Sequence, residues 1–134
     1  MDAAARAAAR ERAERGREAE ALAADFLEAN GLRILARNHR CPRGEVDLVC
    51  EEGEALTFVE VRSRSSEAQG GPEETVGRRK AQRVVLAASD WALRNGGLDR
   101  TIRFHVVAVT FGEGDPRVEL FRDAFDGDGS PGQR

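Results

Sequence analysis

Hydrophobic positions change period along this chain, and each change marks an element. From Gly16 to Asn30, the residues Ala19, Leu22, Ala23, Phe26 and Leu27 recur at helical spacing, which predicts an apolar helical stripe stopped by Gly31. Leu32–Asn38 follows as a short strand. Glu45–Glu51 and Ala55–Ser63 alternate with period two around Glu52-Gly53, so they read as two strands joined by a tight turn. Ser63–Thr75 is polar and glycine-containing, a loop suited to act as a lid. Arg78–Asn95 returns to helical spacing through Ala81, Val84, Val85, Ala88, Trp91 and Ala92, and stops at Gly96-Gly97. Thr101–Thr110 and Val118–Phe121 read as a fourth and a fifth strand.

The expected order is therefore αβββαββ in one α/β domain over residues 16–125, a central mixed sheet flanked by helices. Residues 1–15 are rich in Ala, Arg and Glu with no aliphatic anchor, a helical or frayed extension. Residues 126–134 are Gly, Asp, Ser and Pro-rich and read as a disordered tail. Asp126-Gly127-Asp128-Gly129 looks faintly like a calcium loop but lacks the closing bidentate acid.

The hairpin carries the chemistry. With a two-residue turn at Glu52-Gly53, Glu51 faces Glu54, Asp47 faces Phe58 and Glu45 faces Glu60. Alternation puts Asp47, Val49, Leu56, Phe58, Glu60 and Arg62 on one face, and Val46, Leu48, Cys50, Val59 and Val61 on the other. Asp47 and Glu60 become diagonal neighbours, roughly 7–8 Å apart along the backbone. A buried acid is costly unless a partner or a metal neutralises it. Two carboxylates so placed can converge on a divalent ion, Mg2+ or Mn2+, with the Val61 backbone carbonyl as a further ligand. Such an ion can activate water and stabilise charge on a phosphate. Glu51, Glu52 and Glu54 at the turn are ordinary solvated acids, and Glu45 is either a supporting group or a partner for Arg43 or Arg62.

Composition and charge narrow the picture further. The chain has 134 residues, 40% hydrophobic and 34% charged, in the range of a globular domain. Its net charge of −3 argues against general coating of nucleic acid, yet Arg62–Arg83 holds six cations against three acids. Of 21 basic residues Lys80 is the sole lysine, so it either reaches a phosphate or metal-bound water, or is one more surface cation. The N-terminus has neither a signal peptide nor a membrane-spanning run, which reads as cytoplasmic with no membrane partner. The two cysteines, Cys41 and Cys50, form no CxxC pair, and His39-x-Cys41 lacks the second half of a zinc site.

These residues resemble a family. Gly16-x-x-Ala19-Glu20-x-x-Ala23, Arg33-Ile34-Leu35-Ala36-Arg37-Asn38, Gly44-Glu45-Val46-Asp47-Leu48-Val49, Phe58-Val59-Glu60-Val61-Arg62, Lys80 and Arg103-Phe104-x-Val106-Val107-Ala108-Val109 together resemble the bacterial YraN family. That family is similar to the restriction-endonuclease-like PD-(D/E)xK fold and to archaeal Holliday-junction resolvases. The resemblance implies Asp47 and Glu60 as metal ligands and Glu20 as a third acid. Arg62 stands where the nuclease pattern has lysine; always protonated, it grips a phosphate but cannot act as a base. His105 stands where relatives have aspartate; a lone strand histidine is more often a packed residue than a catalyst.

The expected function is a Mg2+-dependent endonuclease for branched or single-strand-containing DNA, with Asp47, Glu60, Arg62, Lys80 and Glu20 as catalytic candidates. The alternative is a non-catalytic nucleic-acid-binding or partner-recruiting module on the same fold. A homodimer would suit two-fold junctions. With no tyrosine and one tryptophan, backbone and shape recognition fit better than base stacking.

Overall fold

The computed structural model of the chain describes residues 2–66 and 76–132. Helix α1 (Ala3–Ala29) is capped by Asp2, whose carboxylate accepts the Ala5 N–H at 2.7 Å. The extension is thus continuous with the first helix, although only Ala19, Ala23, Ala24 and Leu27 are buried. Arg15 lies 5.9 Å over the Phe111 ring, an aromatic anchor for the outer half of the helix.

Five strands follow: β1 (Arg33–Cys41), β2 (Gly44–Glu52), β3 (Ala55–Ser65), β4 (Ile102–Phe111) and β5 (Arg117–Phe121). They form one mixed sheet in the order β1-β2-β3-β4-β5, antiparallel except for β3 and β4. Parallel neighbours need a crossover, and α2 (Arg78–Asn95) supplies it. Gly96, left-handed at φ 72°, ends that helix. The expected αβββαββ order and α/β class hold, consistent with a restriction-endonuclease-like core. The loop expected from Ser63 starts later, because β3 runs to Ser65, and residues 67–75 lie outside the described residues.

Each face of the sheet buries one helix. Leu48, Cys50, Val59, Val107 and Val109 pack against the alanine stripe of α1. Val49, Leu56, Phe58, Phe104 and Val106 pack against Ala81, Val84, Ala87 and Ala88 of α2. Trp91 sits edge-on to Phe58 with ring centres 6.1 Å apart, so it belongs to this core and not to a stacking surface.

Two details of the hairpin differ from the sequence reading. The turn is Gly53-Glu54, so Glu52 pairs with Ala55, Val49 with Phe58 and Leu48 with Val59. Gly53 takes φ 59°, and a two-residue hairpin turn wants that left-handed residue at its first position. The expected pairing was two residues out, and that shift by itself moves no side chain to the other face because the side-chain period is two. Val46 is the second difference. It joins the α2-side core with Val49 while Leu48 faces α1, so alternation breaks around Asp47. On the neighbouring strand Asn38 takes φ 52°, a conformation asparagine tolerates better than most residues.

After Ala124 the chain does not trail off as expected for a tail. Over the described residues it turns back, with the Asp126 N–H donating to the Ser130 carbonyl at 2.8 Å and Phe125 bridging Pro131. Asp128 accepts the Ser130 N–H at 2.8 Å, an Asx turn in place of the calcium-loop pattern.

Candidate functional site

Where the β2–β3 ladder stops, Asp47 takes over its hydrogen bonding. The last paired residues are Leu48 and Val59. Beyond them the Val61 N–H donates to Asp47 Oδ2 at 2.7 Å. A strand residue's N–H and C=O point to the same neighbour in an antiparallel pair, so the Val61 carbonyl shares that edge. The break in alternation leaves Asp47 between the two faces, where acids from both can approach it.

Glu60 comes from the α2 face of β3 and is only 4% exposed. Lys80, in the first turn of α2, reaches it with Nζ 2.8 Å from Oε1. Burial and then the Glu60 charge push Asp47 up to about 7, against the Val61 N–H and the Lys80 charge, which favour its ionised form. On the other side Glu20 of α1 is also raised, by burial and then by the Asp47 charge, while a hydrogen bond with Asn38 works the other way. Arg62 follows Glu60 by two residues on the same face of β3, half-buried. The structure thus sets Asp47 between Glu20 and Glu60, with Lys80 on Glu60 and Arg62 on the adjoining turn of the pleat.

The donors are all hard oxygens, and they crowd negative charge where burial resists it. Among the described residues no three His, Cys, Asp or Glu side chains are grouped closely enough to hold a metal by themselves. Two carboxylates and one backbone carbonyl are hard oxygen donors, the ligand type that Mg2+, Mn2+ and Ca2+ share.

Other candidates go elsewhere. Glu45 is exposed and pairs with Arg40 at 3.1 Å, not with Arg43. Glu51 pairs with Arg33 and with Arg100, and Glu52 with Arg122, as solvated acids at a hairpin do. His39 meets Asp90 of α2 at 2.8 Å and brings no second zinc-type pair among the described residues. His105 is fully buried in the sheet; its Nδ1 accepts the Asp123 N–H at 3.0 Å, and burial lowers its pKa. It is a core residue, not a fourth acid's replacement.

Two residues that shape the site were not singled out from sequence. Asn38 bonds Glu20 and occupies the left-handed kink; an asparagine inside a strand pattern was the available signal. Gly44 opens the β2 motif because a Cβ there would overlap the Arg83 carbonyl of α2.

Comparison with known proteins adds lineage to this geometry. The model of "Uncharacterised protein family UPF0102" matches residues 19–109, spanning α1's buried half, the hairpin, α2 and most of β4. A UPF0102 protein of Anaeromyxobacter dehalogenans is 71% identical over 117 residues, covering 87% of each chain. One from Anaeromyxobacter sp. strain Fw109-5 is 67% identical over 122 residues, covering 91% of this chain and 92% of its own. A more distant one from Desulforapulum autotrophicum is 42% identical over 113 residues, covering 84% and 93%. With that much of each chain aligned, and the site's residues inside the matched span, this protein belongs to the UPF0102 family.

Proposed function

We propose that the chain is a Mg2+- or Mn2+-dependent DNA endonuclease of the PD-(D/E)xK type, similar to archaeal Holliday-junction resolvases. Its substrate in this reading is branched or single-strand-containing DNA, cut by hydrolysis of one phosphodiester. The reading rests on one observation: the carboxyls of Asp47 and Glu60, from neighbouring strands, are held together beside Lys80, and burial and then the Glu60 charge raise the Asp47 pKa.

Asp47, Glu60 and the Val61 carbonyl would hold the ion, with Glu20 acting through the water around it. Bound there, the metal would lower the pKa of water and draw charge from the phosphate. The residues do the rest. The Val61 N–H keeps Asp47 in the plane of the sheet. Lys80, 2.8 Å from Glu60, takes the post that the nuclease pattern gives to a lysine near Arg62, orienting the attacking water or a phosphate oxygen. Arg62 stays protonated and contributes charge to the phosphate, not base chemistry. In the step itself a water oxygen bonds phosphorus, the bond to the leaving oxygen breaks, and the water's proton ends on that leaving group.

One observation favours the alternative, a non-catalytic module. Glu60 already has a cation in Lys80, so half of the acid pair is neutralised without metal. The deciding experiment is a panel of junction, flap, single-stranded and duplex DNA with Mg2+ or Mn2+, run on wild type, Asp47→Ala and Glu60→Ala. Cleavage lost in both variants supports the nuclease; binding without cleavage by wild type on every substrate makes the chain a binding module. Light scattering on the free protein and on a junction complex checks the homodimer that two-fold junctions would call for.

A further inference from the structure

We propose that Arg79 and Arg83 are positioning residues, a two-point rail that holds the sugar-phosphate backbone of the strand flanking the phosphate at Asp47 and Glu60. This inference rests on the phosphodiester reading above and extends it from the acids to the strand that must lie beside them. A cavity of about 450 Å3 opens next to Glu60, lined by Gly77, Arg79, Lys80 and Arg83 among others. One wall therefore carries Glu60 and Glu45, and the other is the cationic edge of α2.

Three observations bear on Arg79 and Arg83. They are exposed and make no ion pair with a described acid, as is also true of Arg37, Arg43 and Arg78, but unlike Arg37 and Arg43 they also line the cavity beside Glu60. Next, α2 begins at Gly77 with no side-chain cap, and its first turn carries Arg78, Arg79 and Lys80 with no acid. Cations at that end oppose the helix dipole, so local stability does not account for them. Finally, the missing Cβ of Gly44 lets the start of β2 lie directly on the Arg83 carbonyl. The backbone that carries Arg83 is thereby locked to the strand that carries Asp47 three residues later.

The two arginines are one helical turn apart, about 6 Å along the axis, close to the step between neighbouring phosphates on one strand. Guanidinium groups hold phosphates in paired hydrogen bonds, and such backbone contacts carry no base information. No aromatic side chain lines the cavity, so the flanking base is not stacked there. The rail thus accepts a strand of any sequence.

The test measures binding of a labelled single-stranded oligonucleotide, and of its duplex, across a salt series in EDTA. The proteins are wild type, Arg79→Ala, Arg83→Ala, the double Ala variant, the double Lys variant and Arg94→Ala as a distant control. The double Ala variant is expected to bind about tenfold or more weakly, with the slope of log affinity against log salt shallower by about one per arginine. The double Lys variant keeps the slope, and Arg94→Ala behaves as wild type. Where cleavage is measurable, KM rises while kcat changes little, as for lost uniform binding. Manganese affinity and melting temperature are read for each variant, and either single variant carries the test should the double one not fold. Unchanged affinity and salt slope in a folded variant overturn the rail, as does a wild type that binds neither oligonucleotide. A wild type that binds through these arginines yet cuts nothing with Mg2+ leaves the rail standing and removes the nuclease reading.

Discussion

Asp47 holds its proton in the folded, metal-free protein far more tightly than an unfolded aspartate does. Its folded pKa is about 7 against an ordinary 3.8, through burial and then the Glu60 charge. A raised acid binds more protons folded than unfolded across that window, so its contribution to stability is whole below 3.8 and is lost as pH rises through about 7. His105 works with the opposite sign: burial lowers its pKa, so stability falls as pH drops below its unfolded value of 6.5. Asp47→Asn keeps the acceptor for the Val61 N–H and removes the charge. We expect its melting temperature in EDTA to exceed wild type at about pH 8 and to match it at about pH 4, with manganese binding abolished. Equal melting curves at the higher pH would show that the two carboxyls do not compete for charge. Lys80 gives the second prediction at this scale. Lys80→Ala should reduce cleavage about 100-fold, and Lys80→Arg should not restore it, because a planar guanidinium cannot replace a compact ammonium 2.8 Å from Glu60. Full activity in Lys80→Arg would reduce Lys80 to a surface cation.

At the scale of elements, the site depends on how closely β2 and α2 approach. Gly44→Ala places a methyl on the Arg83 carbonyl, backbone against backbone, so one element must move. We expect a cost of about 1–3 kcal/mol in urea unfolding and a loss of cleavage larger than the stability loss explains, since the movement separates Lys80 from Glu60. An alanine variant as stable and as active as wild type would mean the contact is slack. The elements were largely legible in the chain, because the switch between period 2 and period 3.6 is a local property of each segment. Asp47 and Glu60 were legible too, as acids inside apolar strands. Their pairing was not: a hairpin register depends on which residue of Glu52-Gly53-Glu54 opens the turn, and only the left-handed Gly53 decides that. Asn38 and the break that moves Val46 to the α2 face were equally hidden, because a kink leaves little mark on composition.

Across the whole molecule, the acids sit where both helices and two strands meet, so a bound ion would tie α1, the hairpin and α2 together. A ligand bound only by the folded state stabilises by mass action, about 2.7 kcal/mol at a hundredfold excess over Kd. Magnesium or manganese should therefore raise the melting temperature of wild type by several degrees and leave Asp47→Ala unmoved. A shift that persists in Asp47→Ala would place the ion elsewhere. No described helix is long and apolar enough to cross a membrane.

By itself the sequence determined the α/β order, which faces of the hairpin are apolar and which two acids stand out, since periodicity and the cost of burying charge act within a few residues. Only the tertiary structure decided that Asp47 spends its carboxylate on the Val61 N–H, that Glu20 and Glu60 reach it from opposite faces, and that Lys80 closes on Glu60 from twenty residues downstream. Those meetings depend on a crossover helix and a broken alternation, which set distances between segments that no local pattern encodes.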